Sequence, residues 1–320
     1  MDEFEVIRRY FSTGFPARDD VSLGIGDDGA VTRLESGVEL LTVTDALVAG
    51  THFPASLPAD AVAHRSLAAN LSDLAAMGAR PRWFTLALAL PDTNAEWLDA
   101  FARGLRNLAA RFEVALIGGD TVRGPLAVTI TAMGTVPQGQ ALQRRGARDG
   151  DGIFVSGTLG DAGWAWQALA DHEELTIDDP AYGRFAYPQP RVSEGRSLRG
   201  FASAAIDLSD GLQPDLERLL AASGVGGELQ VADSPLSDAL LERAGAERAR
   251  ELALVGGEDF ELCFTMPGER EEELRAIAAT WSCRLTRIGR VRAMPGLHLY
   301  LDGVQVSSPS AGFRHFESDG

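Results

Sequence analysis

The sequence contains no lysine, so all 29 of its basic residues are arginine. A P-loop needs a lysine to bind phosphate, and Schiff-base enzymes need one to attack a carbonyl, so both classes are excluded. The two cysteines, Cys263 and Cys283, provide neither a disulfide framework nor the spacing of a zinc cluster. No apolar run approaches the ~20 residues that a membrane helix requires. The first ten residues carry five charges, which is unlike a signal peptide.

The charge is strongly acidic, with 46 acidic residues and a net charge of −17. A nucleic-acid-binding protein normally presents a basic face, so this function is disfavoured. An acidic, lysine-free protein that binds polyphosphate must neutralise it with divalent metal, arginine or backbone amides. The composition is that of a globular enzyme, and we expect a cytoplasmic one.

The pattern of strands and helices indicates an α/β (α+β) fold with two domains. Strands are predicted at 38–43, 83–90, 114–117, 126–136, 152–156, 204–207, 260–265 and 297–301, and helices at 60–77, 94–112 and 214–222. The stretch 137–150 is rich in glycine and arginine and poor in large apolar residues. We therefore place the domain boundary there, with domains 1–137 and 138–320.

Six short groups combine glycine, strand ends and carboxylates. They are 24–29 with Asp27 and Asp28, 42–45 ending at Asp45, 70–73 ending at Asp73, 117–121 around Asp120, 206–211 with Asp207 and Asp210, and 256–259 with Glu258 and Asp259. Each group alone is a weak signal for a functional site, because turns with solvated aspartates and helix caps contain the same residues. Together they predict a magnesium site, because Mg²⁺ prefers carboxylate oxygens combined with substrate phosphates.

The third group lies within a predicted helix, where Ser66, Asn70 and Asp73 share one face. Aspartate is a poor residue for a helix interior, which favours a functional role. The alternative is a polar stripe that faces solvent. His52 and His315 each stand beside a phenylalanine, and ordinary packing is the simpler interpretation of both.

In this order and spacing, the six groups resemble the thiamine-monophosphate kinase family, which is related to aminoimidazole ribonucleotide synthetase and selenophosphate synthetase. The resemblance runs from about Phe4 to Phe316 and includes the closing Gly312–Phe316. It implies a homodimer whose N-terminal domains pair through their sheets, with ATP in a cleft between the domains. It also implies several magnesium ions, with potassium as a further candidate cation, and thiamine monophosphate as the acceptor of the phosphoryl group.

The resemblance also assigns individual residues. It implies that metal is bound by Asp28, Thr44, Asp45, Asp73, Asp120, Asp207 and Asp210, that ATP is contacted by Gly119, Asp120, Arg145 and Ser209, and that thiamine monophosphate is contacted by His52, Glu258 and Phe313. Arg144 is an alternative to Arg145. At position 43 some members of the family carry a hydroxyl residue near a metal, whereas Val43 offers only its carbonyl oxygen.

Two rival functions follow from the same residues. The first is another ATP-dependent synthetase of the superfamily. However, a selenophosphate synthetase needs a reactive cysteine near its N-terminus, and a related hydrogenase-maturation protein needs one at its C-terminus. Neither position holds a cysteine here. A non-enzymatic calcium-binding protein is the second, but it would concentrate its oxygen ligands in one short loop. The resemblance therefore implies direct transfer of a phosphoryl group from ATP to thiamine monophosphate.

Overall fold

The computed structural model describes residues 1–307. Its helices are α1 (Glu3–Val6, followed by one π-helical turn, Ile7–Phe11), α2 (Ala59–Ala76), α3 (Ala95–Arg111), α4 (Asp161–Ala170), α5 (Pro180–Ala186), α6 (Val192–Ser197), α7 (Leu212–Ser223), α8 (Asp238–Val255) and α9 (Glu271–Ala278). Its strands are β1 (Val21–Leu23), β2 (Val31–Thr32), β3 (Val38–Val48), β4 (Arg80–Leu90), β5 (Ala115–Arg123), β6 (Ala127–Pro137), β7 (Gly152–Ser156), β8 (Ala204–Asp207), β9 (Gly226–Gln230), β10 (Leu262–Met266), β11 (Leu285–Arg292), β12 (Gly296–Leu301) and β13 (Val304–Val306). Across this described part, no helix has the length and apolar character to cross a membrane.

The chain divides into two compact units. Unit 1 consists of residues 1–74, 79–141 and 186–192, and unit 2 of residues 75–78, 142–185 and 193 onward.

Unit 1 is built on a four-stranded mixed sheet with the strand order β3-β6-β4-β5. β6 pairs antiparallel with both β3 and β4, whereas β4 and β5 are parallel. Helix α3 begins where the Asn94 side chain accepts a hydrogen bond from the amide of Trp97. One apolar face of this helix is buried, and Phe101 packs against Trp97 and Phe11.

The two faces of this sheet differ in exposure, because successive side chains of a strand point to opposite sides. Leu86 and Leu88 of β4 are buried with Val128 and Ile130 of β6. The intervening residues of the same strands are small or hydroxylated and are partly or fully exposed; they include Thr85, Ala87, Thr129 and Thr131. The sheet of unit 1 thus presents an open face of alanine and threonine.

Unit 2 is built on a seven-stranded sheet with the order β13-β12-β9-β11-β7-β10-β8. Its strands are antiparallel except for the parallel pair β12 and β9. A single apolar cluster joins this sheet to α7, and includes Ile153, Ile206, Leu216 and Cys263. The core fixes the end of β8, from which the turn 208–211 leaves.

Strands β3 and β5 extend well beyond the C-terminal ends that the sequence predicts for them. β3 continues through Asp45 to Val48, and β5 continues through Gly118, Gly119 and Asp120 to Arg123. The expectation that Asp45 and Asp120 follow strand ends is therefore wrong. The physical reason is pairing: Asp45 opposes Ile130 of β6 and Asp120 opposes Ala87 of β4, so the ladder holds residues whose own propensity is for turns.

Candidate functional site

A cavity of 510 Å³ in unit 1 gathers the first and fourth sequence groups. Asp27 and Asp28 line it together with Gly119 and Asp120 of β5. The amide of Asp28 donates to the Asp27 carboxylate at 2.8 Å, which shapes the glycine-rich turn. Three apolar side chains, Phe4, Ile7 and Phe11, form a further part of its lining. The cavity therefore has a carboxylate-rich part and an apolar part, as expected for a site that takes a charged ligand with an organic ring.

Gly119 occupies a position that only glycine can fill. Its φ is +151°, and a Cβ placed there would lie 1.9 Å from the carbonyl oxygen of Leu86. The next residue, Asp120, is exposed, and its carboxylate accepts a hydrogen bond of 2.8 Å from the amide of Thr121. The close approach of β5 to β4 thus presents the Asp120 carboxylate beside a bare backbone.

Thr44 and Asp45 of the second group are separated by the sheet. Thr44 lies on the open face, where its hydroxyl is 2.9 Å from the hydroxyl of Thr131. Asp45 is half-buried and points to the opposite face, where Leu47 is buried. Side chains that diverge in this way cannot both bind one ion on a regular strand, so the structure does not bring these two predicted ligands together.

The third group lies on α2, and most of its polar face is buried. Ser66 and Asn70 are 1% and 0% exposed, so the alternative of a stripe facing solvent is wrong for both. The Ser66 hydroxyl donates to the carbonyl of Val62, and the Asn70 amide nitrogen donates to that of Ser66. Among residues 1–307, the Asn70 side-chain oxygen finds no hydrogen-bond partner. Asp73, one turn further on, is half-buried. A buried side-chain oxygen without a hydrogen-bond partner calls for an explanation, and a bound ion or water is one.

His52 accepts a hydrogen bond of 3.1 Å at Nδ1 from the amide of Val48. A ring nitrogen that accepts carries no proton, so the neutral imidazole holds its hydrogen on Nε2. Arg65, which is fully buried, directs its guanidinium to the carbonyl of His52 at 3.4 Å. These contacts fix the backbone and the tautomer of His52.

In unit 2, the fifth group forms a turn at the end of β8. Asp207 is buried, and Ser209 and Asp210 are half-buried. The carboxylate of Asp215, on α7, accepts hydrogen bonds from the amides of Ser209 at 3.0 Å and Asp210 at 2.9 Å. Arg218 forms ion pairs with Asp215 at 2.5 Å and with Asp210 at 2.6 Å.

Burial raises the pKa of Asp215 to about 7, against the opposing effect of the Asp210 amide. This value already includes the charges of Asp210 and Asp207, which raise the pKa, and the charge of Arg218, which lowers it. Three carboxylates are therefore close enough to interact.

The sixth group is held in an uncommon backbone conformation. Glu258 and Phe260 have φ values of +64° and +49°, in the left-handed region that non-glycine residues rarely adopt. The amide of Glu258 donates to the carbonyl of Ser209, and that of Phe260 to the carbonyl of Leu208, each at 2.8 Å. The loop that carries Glu258 is thus bonded to the turn at the end of β8. Backbone held in such conformations is concentrated at functional sites.

Between these two residues, Asp259 is buried and accepts the amide hydrogen of Gly160 at 3.0 and 3.1 Å. Burial raises the pKa of Asp259 well above its usual value, although the charge of Arg184 opposes this. Arg184 pairs at 2.6 Å with Glu261, which is also fully buried. The chain that follows Glu258, the predicted substrate contact, is therefore anchored by two buried acidic residues, Asp259 and Glu261.

The structure gives less information about the remaining predicted site residues. Arg144 and Arg145 are both exposed, so the choice between them as the ATP contact stays a prediction. Phe313 and the closing motif lie outside the described residues. Within residues 1–307, no three His, Cys, Asp or Glu side chains converge in a ready-made metal cluster.

Sequence reasoning missed Asp215, Arg218 and the buried pair Arg184–Glu261. Asp215 had a detectable signal, because it is an aspartate four residues after Gly211 on the buried side of an apolar helix. Arg184 and Glu261 are far apart in sequence, and their pairing depends on the tertiary fold.

Comparisons with known proteins show which sequences and structures this chain is similar to. Two family models match: AIR synthase related protein, N-terminal domain, over residues 26–136, and AIR synthase related protein, C-terminal domain, over residues 148–302. The chain is 44% identical over 319 residues to the thiamine-monophosphate kinase of Salmonella typhimurium, covering 98% of each protein.

Two solved structures are similar. The crystal structure of thiamine-monophosphate kinase from Stenotrophomonas maltophilia K279a is 43% identical, with a TM-score of 0.84 over 94% of this chain and 95% of that one. A structure described as AaThiL complexed with AMPPCP and TMP is 32% identical, with a TM-score of 0.76 over 92% of this chain and 93% of that one.

Proposed function

This chain belongs to the thiamine-monophosphate kinase family, and we propose that it transfers the γ-phosphoryl group of ATP to thiamine monophosphate, giving thiamine diphosphate. The observation that carries this proposal is the nearly full-length match at 44% identity, which spans all six glycine and carboxylate groups. The related structure of AaThiL complexed with AMPPCP and TMP supports the same pair of substrates.

In unit 1, the residues that would hold magnesium are Asp28, Asp45, Asp73 and Asp120, whereas the predicted ligand Thr44 directs its hydroxyl to the other face of the strand and would not share their ion. The fit is chemical: the donors are carboxylate oxygens, and the unmatched Asn70 oxygen is a further acceptor that an ion-bound water would satisfy. Magnesium usually takes one or two carboxylates and completes its coordination with water and substrate phosphate. Carboxylates that are dispersed over several elements, with no preformed cluster among residues 1–307, are compatible with this type of coordination.

In unit 2, Asp207 and Asp210 would hold further magnesium and Ser209 would contact ATP. Glu258 would contact the acceptor, because its backbone is fixed beside Ser209. In unit 1, Gly119 would let a phosphate approach the bare backbone of β5, and His52 would contact the acceptor with its Nε2–H. Arg145, with Arg144 as the alternative, would contact ATP.

Bound magnesium would neutralise the charge of two phosphorylated ligands. The protein then has little covalent chemistry to perform. The acceptor is a phosphate, which is already ionised near pH 7, so it needs no strong general base. The role of the aspartates, glycines and arginine is to align donor and acceptor phosphates for in-line attack.

The proposal also covers the domain division, the cellular location, a further cation and the oligomeric state. The division into domains 1–137 and 138–320, a cytoplasmic location and a role for potassium are parts of it. It also includes a homodimer formed through the open face of the unit 1 sheet. Support for the dimer comes from the small, weakly polar side chains of that face, such as Thr85, Ala87 and Thr131, which would let a second sheet pack closely.

A coupled assay of ADP release over a panel of acceptors tests the function. Thiamine monophosphate should react much faster than thiamine, because the attacking atom is a phosphate oxygen. Aminoimidazole precursors in the same panel test the rival synthetases. Equal rates with thiamine and thiamine monophosphate, or a faster rate with an aminoimidazole substrate, would show that the assignment is wrong.

A further inference from the structure

Asp215 is a buried carboxylate that serves a turn outside its own helix. It is 1% exposed and lies in the first turn of α7. One oxygen, Oδ2, accepts the amide hydrogens of both Ser209 and Asp210, at 3.0 and 2.9 Å. A carboxylate near a helix start commonly satisfies the free amides of that helix. Here the two amides precede Gly211, the residue that caps α7, so the carboxylate bonds the turn instead.

The second oxygen of Asp215 restrains the carboxylate of Asp210 through Arg218. Oδ1 pairs with Arg218 Nη1 at 2.5 Å, and Nη2 of the same arginine pairs with Oδ2 of Asp210 at 2.6 Å. The amide and the carboxylate of Asp210 are therefore both tied to one buried side chain, directly and through Arg218. Charged hydrogen bonds of this kind are stronger than neutral ones.

Resting on the assignment of Ser209 to ATP and Asp210 to metal, we propose that Asp215 is a positioning residue for the magnesium–nucleotide complex. By accepting two consecutive amides, it sets the direction in which the Ser209 and Asp210 side chains leave the turn. A turn fixed before binding does not have to be ordered when the ligand arrives, which improves affinity. Asp215 itself touches neither ligand and remains beneath the turn.

A purely structural role would have a different signature. A carboxylate that only stabilises α7 would lower the melting temperature when replaced, and would leave ligand affinity unchanged in whatever protein remained folded. A positioning residue changes the affinity for the magnesium–nucleotide complex, and changes the exchange of two particular amides.

The test combines Asp215→Leu, which keeps the branching at Cγ in a larger side chain and removes both acceptors, with Asp215→Asn, which keeps one oxygen for the amides. Glu217→Gln, an exposed site in the same helix, controls for the loss of a charge. Hydrogen exchange of residues 208–211 is measured, together with the Kd for magnesium and AMPPCP by calorimetry. Asp215→Leu should raise this Kd by about tenfold or more and speed exchange in the turn while β10 stays protected. Asp215→Asn should recover most of the affinity, and Glu217→Gln should match wild type.

Two results would overturn the proposal. One is Asp215→Leu binding within about twofold of wild type, and the other is accelerated exchange throughout unit 2. If Asp215→Leu does not fold, wild type decides alone: the amides of Ser209 and Asp210 should exchange slowly before nucleotide is added. Fast exchange that slows only on adding magnesium and AMPPCP would mean that the turn is not preorganised. Wild type that fails to bind AMPPCP at all would instead count against the proposed function.

Discussion

The main-chain amide of Glu258 donates a 2.8 Å hydrogen bond to the carbonyl oxygen of Ser209. We propose that Glu258 contacts the acceptor and that Ser209 contacts ATP. One backbone hydrogen bond within unit 2 therefore links the two proposed substrate contacts. The contact exists because Gly257 turns the chain with a φ of +68°. A Cβ on Gly257 would lie 2.7 Å from that same carbonyl oxygen.

Gly257→Ala should therefore raise the KM for ATP and the KM for thiamine monophosphate together. The added methyl group displaces Ser209 and Glu258 from each other, and alanine is strained at this φ. Gly183→Ala is the matched control, because nothing lies within 4 Å of a Cβ at that position. Steady-state kinetics with each substrate varied in turn provide the measurement. A variant that changes only one of the two KM values would separate the sites.

Asp45→Asn should lower kcat by about 100-fold or more without unfolding the protein, because the change removes a carboxylate that we propose binds magnesium and keeps its shape. Asp99→Asn, at an exposed site on α3, makes the same change of charge and should leave kcat unchanged. Rates are measured over a magnesium titration, with circular dichroism to check the fold. Near-normal rates of Asp45→Asn at ordinary magnesium would refute the metal assignment, and Asp73→Asn offers an independent repeat.

The site illustrates how far sequence reasoning reaches. The strand 152–156, the strand 204–207 and the cap of α3 at Asn94 were predictable because local propensity and tertiary structure agree there. The extension of β3 through Asp45 was not, since aspartate avoids strands and the pairing with β6 depends on the tertiary fold. The proposed roles of Asp207 and Glu258 come from the family resemblance that their motifs carry. Recognising that Asp215 fixes their neighbours required the positions of two amides, which no pattern of side chains reveals.

Ala87→Glu should convert the proposed homodimer to monomers. Ala87 is exposed on the open face of the unit 1 sheet, so the variant should fold, but a dimer through that face would bury an unpaired charge. Ala110→Glu, on the exposed side of α3, introduces the same side chain away from the face. Sedimentation velocity distinguishes the two. A dimer that persists in Ala87→Glu would show that the copies pair elsewhere.

The stability of unit 1 should depend on pH through Asp20. Burial raises the pKa of Asp20, but hydrogen bonds from Arg18 and Trp83 and the charges of Arg18 and Arg82 outweigh it, and the net pKa is lowered. A lowered pKa in the folded state stabilises the protein above the usual aspartate range. The contribution is lost as pH falls below about 4 towards the folded pKa.

Asp20→Asn tests this dependence, because asparagine does not titrate. Its melting temperature should be about 2–6 °C below that of wild type at pH 7. The gap should narrow as the pH is lowered from 6 to 3, as followed by thermal denaturation. Asp19→Asn, one residue away and without these three partners, should match wild type at every pH. A gap that stays constant with pH would mean that the Asp20 carboxylate is not the source of the stability.

Transfer of the phosphoryl group should occur in one in-line step, with no phosphorylated enzyme. A covalent intermediate needs a nucleophile, and the six glycine and carboxylate groups contain no histidine or cysteine. Cys263 is fully buried in β10, and burial raises the pKa of its thiol far above the usual value. His64 is bonded to the carbonyl of Pro188, and the chain has no lysine. The acceptor phosphate, by contrast, carries its own ionised oxygen.

Both substrates must then be bound at once, so double-reciprocal plots at several fixed concentrations of the second substrate should intersect. A single displacement also inverts configuration at a chirally labelled γ-phosphorus, whereas two successive displacements retain it. Parallel lines, as in ping-pong kinetics, or retention of configuration would require a phosphoenzyme. An aspartate would then have to be the nucleophile, and Asp27→Asn and Asp120→Asn would be the first variants to examine for loss of the trapped phosphoryl group.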